Sequence, residues 1–261
     1  MPTYPTPEPV RLIVRIPSGR IEITTEDTEE TTVNVQRLGG RGSGAVGADE
    51  VHVDFRPSRR DGAQLVVVAE RGHKSWFGRD ASYEVEVRTP HGAEVQAVTA
   101  SADVKGTGRF GSVDVRTASG DVSFEEVAGS TNVKSASGNV RIQKAGSTLS
   151  VALVSGDLHV EAAADGLKGR SVSGDLSIES FDRGKAELNT VSGDVQVGVL
   201  PDRRVWMDLV SRTGDTSCDL DVRGGGGPAG RGSGADVEIA ARSVSGDIRI
   251  RRAAPSSMGI A

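Results

Sequence analysis

Carboxylates recur through the second half of the sequence at a spacing that could do chemistry. A Ser-Gly-Asp triplet or close variant returns at Ser119-Gly120-Asp121, Ser137-Gly138-Asn139, Ser155-Gly156-Asp157, Ser173-Gly174-Asp175, Ser192-Gly193-Asp194, Thr213-Gly214-Asp215 and Ser245-Gly246-Asp247. A degenerate forerunner stands at Ser101-Ala102-Asp103, and the steps from Ser101 are 18, 18, 18, 18, 19, 21 and 32 residues. If the repeats stack, the Asp side chains fall in one column, and closely spaced carboxylates can bind Ca²⁺ and so relieve their repulsion. Calcium-binding β-rolls carry Asp in both facing turns. Here the opposite turns Gly129-Ser130 and Gly146-Ser147 have none, and Asn139 interrupts the column. The triplets are therefore read as structural corners, with no metal or cofactor expected.

The other reactive residues form no constellation. His52, His73, His91 and His159 are far apart and lack the spacing of zinc ligands. Cys218 has no second cysteine to pair with and falls on the inward phase of its segment, so a buried small hydrophobe is expected rather than a nucleophile. Catalysis of a glycosidase or lyase type would need a carboxylate pair and a base on one exposed face. The outward columns are mixed instead: Asp114, Asn132, Ser150, Lys168, Glu187; then Arg116, Lys134, Ala152, Arg170, Asn189; then Glu125, Gln143, Glu161, Glu179. No enzyme is expected. One loop suggests recognition: Trp76, Phe77 and Arg79 lie together in His73–Asp80, a hot-spot composition in a chain with 3% aromatic residues. The alternative role for this loop is to cover the open first coil.

The elements that hold these residues follow from the repeat. Gly reaches positive φ without a steric cost, while Ser and Asp bond neighbouring backbone groups, so each triplet closes a corner; Gly120, Gly138, Gly156, Gly174, Gly193, Gly214 and Gly246 are its structural residues. On either side apolar residues alternate with period two, as in Val140/Ile142, Leu158/Val160 and Leu176/Ile178 after the corner, and Leu149/Val151 and Ala186/Leu188 before it. A further apolar column falls eight residues past the Ser, at Val127, Ala145, Ala163, Phe181 and Leu200. The prediction is an all-β fold: a single-stranded parallel β-helix (β-solenoid), right-handed, with about 18 residues per coil and stacked coils about 4.8 Å apart. At least seven coils are expected. The step of 32 is taken as one coil plus a Gly-rich loop at 223–236 extruded from a corner.

The first hundred residues alternate without the repeat, and 1–93 is expected to form an irregular N-terminal β cap continuous with solenoid repeats over 94–252. Charged Arg251-Arg252 and then Pro255 are expected to stop the stack at the other end, before a disordered tail at 253–261. The core must come from Val, Ile, Leu and Ala, because apolar residues make up 36% and Gly numbers 34. A net charge of −5 gives no reason to expect nucleic acid or an anionic membrane as partner. The N-terminus has no basic n-region or apolar run of a signal peptide, and no stretch reaches membrane-spanning length, so a cytoplasmic location without membrane insertion is expected.

At its SGDV, SGDL and SGNV corners the chain resembles a bacterial family known as domain of unknown function 4097, called "putative adhesin". The likeness extends to Thr6-Pro7-Glu8-Pro9, Ser75-Trp76-Phe77-Gly78-Arg79 and Val205-Trp206-Met207-Asp208, and is strongest to the soluble, signal-less type of actinobacteria. It implies a β-helical fold and brings no catalytic residue. The expected function is a non-catalytic scaffold or protein-interaction module, binding an unknown protein or its own copies. The alternatives are an adhesin-like or carbohydrate-binding module and a self-assembling filament. Specific function is expected where the repeat breaks, at 73–80 and 223–236.

Overall fold

The computed structural model describes residues 2–38, 44–45, 51–57, 63–69, 82–220 and 236–253. Trp76, Phe77 and Arg79, nearly all of the 223–236 loop, and the tail beyond 253 lie outside the described residues. Every element is a β-strand. The alternation seen in the sequence becomes a buried and an exposed face, as in Leu149–Ser155, whose Leu149, Val151 and Leu153 point inward.

Each coil of the central solenoid contributes one strand before the Ser-Gly-Asp corner and one after it. Strands before the corner stack parallel on each other, with Val113, Thr131, Leu149, Leu167 and Ala186 in one column. Strands after it do the same, with Val122, Val140, Leu158, Leu176 and Val195 in another. The sum is a parallel β-solenoid with one continuous apolar core. Packing within a column is complementary in size. Gly169 sits between Val151 and Leu188, and a Cβ on Gly169 would lie 2.7 Å from Leu188 Cδ2. Gly106 likewise makes room for Phe124, which meets Phe110 edge-on at 5.1 Å.

The coils do not stack in sequence order at either end. At the N-terminal end Arg11–Glu26 is itself a coil, lying parallel on Ala93–Thr117 through Arg11↔Glu94 to Thr24↔Thr107. Its other edge carries Gln64–Ala69 and Ser82–Pro90, also parallel. Among the described residues of 1–93 the departures from this stacking are antiparallel additions: Thr3–Pro5, Glu30–Leu38, Gly44–Ala45 and Val51–Arg56. At the other end Val237–Ser243 and Ile248–Arg252 insert between the 184–199 coil and the 205–218 coil. The step of 32 residues is thus not one coil with a loop added in passing. The chain lays down 205–218 at the outside, then returns to fill the layer beneath it.

Three expectations give way, two of them to that return. The 248–252 strand is not where stacking stops, since Thr216–Cys218 pairs on it. Cys218 occupies the inward column with Ile250, yet it is exposed, because no described coil lies beyond it. Its sulfur meets Met207 Sδ at 3.8 Å. For the same reason Val205, Met207 and Leu209 are only half-buried, although Val237, Ile239 and Ala241 directly beneath them are fully buried. Finally, the fifth member of the column eight past the Ser is Val199, not Leu200: a register shift between Ile178 and Phe181 shortens that side by one residue. Val199 is 1% exposed.

Candidate functional site

The Ser-Gly-Asp corners form one straight edge along the solenoid. Their serines stack directly, Ser155 on Ser173, Ser173 on Ser192 and Ser192 on Ser245. Glycine is required here chiefly by close approach. A Cβ would come within 1.9 Å of Ala102 O at Gly120, 2.2 Å of Gly120 O at Gly138 and 2.1 Å of Gly246 O at Gly214. At Gly156, Gly174, Gly193 and Gly246 a φ of +145° to +152° adds a second reason. The expectation of structural glycines rested on φ alone, whereas the spacing between layers constrains every one of them.

The carboxylates have a definite structural task. Oδ1 of each corner Asp or Asn accepts the backbone N–H of its counterpart in the next coil. The chain of bonds runs from Asp103 to Asp121 (3.0 Å), Asn139 (2.8 Å), Asp157 (3.1 Å), Asp175 (2.9 Å), Asp194 (2.8 Å), Asp247 (2.8 Å) and Asp215 (3.0 Å). Asn139 fits because an amide oxygen accepts as a carboxylate oxygen does. Among the described residues no group of three or more His, Cys, Asp and Glu side chains could hold a metal ion. Beneath the edge hydroxyls brace the same backbone in some layers: Thr117 Oγ1 accepts from Gly120 N–H at 3.0 Å, and Ser211 Oγ donates to Gly246 O at 2.8 Å, while Leu153 takes the position in one layer and the buried Ser135 and Ser171 hydroxyls have no hydrogen-bond partner.

Immediately before each corner Ser stands a residue that the alternation turns outward. These positions read Ala100, Ala118, Ala136, Val154, Val172, Val191 and Val244, all exposed. The valines keep 53%, 47%, 47% and 43% of their surface in solvent. Two residues further back lies the column Arg116, Lys134, Ala152, Arg170, Asn189, Arg242. The corner therefore presents an apolar stripe, which ends at Arg212 in the outermost coil, between an acidic column interrupted by Asn139 and a column that is basic at Arg116, Lys134, Arg170 and Arg242 and neutral at Ala152 and Asn189. The valine stripe was available in the sequence alignment, one place before the Ser, but only its outward phase makes it notable. The earlier corners Ser18-Gly19-Arg20 and Ser82-Tyr83-Glu84 extend the edge, stacked on Ser101 and on each other.

Elsewhere the ionisable groups form ordinary surface pairs. Asp208 meets Arg242 at 2.8 Å and Asp182 meets Arg203 at 2.5 Å. The Lys185 ammonium at 2.5 Å holds the Glu187 carboxyl below its usual range, and Arg204 does the same for Asp236 while its own guanidinium is raised. An open groove of about 710 Å³ beside the outermost coil is lined by Leu200, Pro201, Arg203, Arg204 and Met207 among others. His91 Nδ1 lies 3.1 Å from Thr25 Oγ1, and no helix among the described residues is long and apolar enough to cross a membrane.

Comparison with known proteins gives a family model, Toastrack DUF4097, that matches residues 14–251. Two solved structures are similar. One is a "putative adhesin" from Bacteroides fragilis, at 12% identity and TM-score 0.46 with 95% of each chain covered. The other is a "putative cell adhesion protein" from Clostridium sporogenes, at 10% identity and TM-score 0.30 with 96% of this chain and 98% of that one covered. No curated protein matches the sequence.

Proposed function

The chain belongs to the Toastrack DUF4097 family, and from that premise we propose that it is a non-catalytic interaction module whose Ser-Gly-Asp edge docks a protein. The observation that carries this reading is the exposed valine column Val154, Val172, Val191 and Val244. A half-exposed Val is unremarkable alone, but a contiguous row of them is the kind of surface that proteins keep for contact. The row is straight because the corner beneath it is rigid, fixed by glycine approach and the carboxylate ladder. A rigid, preorganised surface binds with little loss of side-chain and loop entropy.

The non-catalytic part of the reading is supported by where charge sits. The three shifted groups, Glu187, Arg204 and Asp236, are all moved toward their ordinary charged forms by ion pairing. An acid or base poised for proton transfer near neutrality is shifted the other way. A cytoplasmic location is part of the same proposal, resting on a fold that needs no disulfide.

The test is capture by the tagged full chain from an extract of its native host. A variant with Val172→Arg and Val191→Arg, both at solvent-exposed positions, should keep its circular dichroism and Tm and lose the captured protein. Capture unchanged by both substitutions would remove the edge as the docking surface.

A further inference from the structure

The three stripes of the corner are self-complementary, and we infer that the occupant of this edge is a second copy of the chain, bound side by side with the two solenoids parallel. This rests on the docking reading above and adds the partner and its orientation. Across the edge three coils carry a basic, an outward apolar and an acidic residue in that order: Arg116, Ala118, Asp121; Arg170, Val172, Asp175; Arg242, Val244, Asp247; in the coils between them Ala152, Asn189 or Asn139 leaves one flank neutral. Two copies brought together along the apolar stripe can be related by a two-fold axis in either of two directions.

If the axis runs across the solenoids, left stays left. The basic column then meets the basic column and the acidic column meets its like. If the axis runs along the solenoids, left and right exchange. Arg116 then faces the second copy's Asp121, Arg170 its Asp175 and Arg242 its Asp247, with valine against valine on the axis. Charge therefore selects the parallel arrangement, since like charges brought together at an interface are strongly disfavoured. Spacing favours a second copy over an unrelated surface. The stripe offers one apolar side chain every ~4.8 Å, the rise of stacked strands, and a partner must offer the same repeat to meet every layer.

The size of the edge sets the strength. From the Ala118 layer to the Val244 layer is about 24 Å, and the five steps along the chain from the basic to the acidic column span at most about 16 Å, a footprint of roughly 400 Å² per copy. A standard stable interface covers about 800 Å² per partner, so the dimer belongs to the weak, micromolar class. Its charges should also make it sensitive to salt.

Sedimentation equilibrium of the full chain in a Cys218→Ser background tests this. The wild-type surface should give a monomer–dimer equilibrium, weakened about tenfold or more by Arg170→Glu. Adding Asp175→Lys to Arg170→Glu should restore it to within about threefold, because both charges of each contact are then reversed. Orientation is read separately by oxidative cross-linking of single cysteines at exposed edge positions. Ala118→Cys should link to itself and Val244→Cys to itself. Linking of Ala118→Cys only to Val244→Cys would mean antiparallel packing and overturn the proposal. A monomer up to millimolar concentration would also overturn it. Should the monomer still capture a different protein in a Val172- and Val191-dependent way, the docking edge stands and the second copy is excluded. Should it capture nothing through the edge, both readings fall.

Discussion

The two turns of each coil obey different rules. The Ser-Gly-Asp corner keeps its length through every layer, whereas the opposite turn changes from Ala128-Gly129-Ser130 to Gly146-Ser147-Thr148 and Ala164-Asp165-Gly166. It then gains a residue around Asp182-Arg183-Gly184, where Leu167 pairs with Ala186 across 19 residues rather than 18. The long excursions leave near that side too, at 200–204 and after Leu220. One corner is locked because its backbone passes within van der Waals contact of the next layer and its carboxylates bridge the layers. The other also passes close in places, with a Cβ on Gly129 only 2.4 Å from Gly111 O, but its approach relaxes to 3.0 Å at Gly146 and 3.5 Å at Gly166 and it has no carboxylate ladder, so it varies. Only a locked corner can hold a straight stripe of side chains, so the conspicuous surface of this protein lies where the repeat is strictest. The sequence alone pointed to the irregular loops instead.

Insertion separates the two turns most sharply. One Gly added between Ser155 and Gly156 shifts the alternation by one residue and turns the following strand inside out, so a loss of about 4 kcal/mol or of cooperative folding altogether is expected in urea unfolding. Two glycines added between Ser147 and Thr148 should cost about 1 kcal/mol or less. Equal costs would mean that the corners are equivalent.

Single glycines make the same contrast at smaller scale. A Cβ on Gly174 would lie 2.1 Å from Gly156 O at a φ of +150°, so Gly174→Val is expected to destabilise by about 3 kcal/mol. At Gly166 the φ is +44° and the nearest atom is Thr148 Oγ1 at 3.5 Å, so Gly166→Ala should cost only about 1 kcal/mol. Thermal unfolding of the two variants checks the order.

The carboxylate ladder predicts a chemical distinction. Asp175→Ala removes the acceptor for Asp194 N–H and should cost about 1 kcal/mol. Asp175→Asn keeps an acceptor and should be nearly silent in the same denaturant titration, as Asn139 already is in its layer. A ladder that served a cation would respond strongly to both and to chelators.

The smallest effect belongs to the ion pairs on the variable side. Glu187 and Asp236 have lowered folded pKa values, so their contribution is present above the ordinary carboxylate range and is lost as pH falls through the lowered values. Both side chains are partly exposed to solvent, which screens the pairs. The Tm difference between wild type and Glu187→Gln with Asp236→Asn should be slight at about pH 7 and absent at about pH 2.

How much of this was legible depends on which forces leave a mark in sequence. The period, the corner glycines and the inward columns were readable because each layer repeats the same local demand. Coil order at the ends was not. Any coil with matching columns can stack on any other, so the alignment of 205–218 with 237–252 carries no information about which lies outside. The exposure of Cys218 and the half-burial of Met207 follow from that order alone. Gly19 escaped notice as a corner because Arg20 stands where Asp is usual, although Ile21 and Ile23 continue the inward pattern behind it. The valine stripe was visible as a column, but its outward phase and its place between Arg170 and Asp175 and between Arg242 and Asp247 depend on how the layers stack.

The claim that interaction runs along the strict corner and not through the broken repeat is tested most directly by capture from the native host with two double variants side by side. Val172→Arg with Val191→Arg should abolish capture while Trp76→Ala with Phe77→Ala leaves it intact. Capture that survives the first pair and is lost with the second would contradict the account.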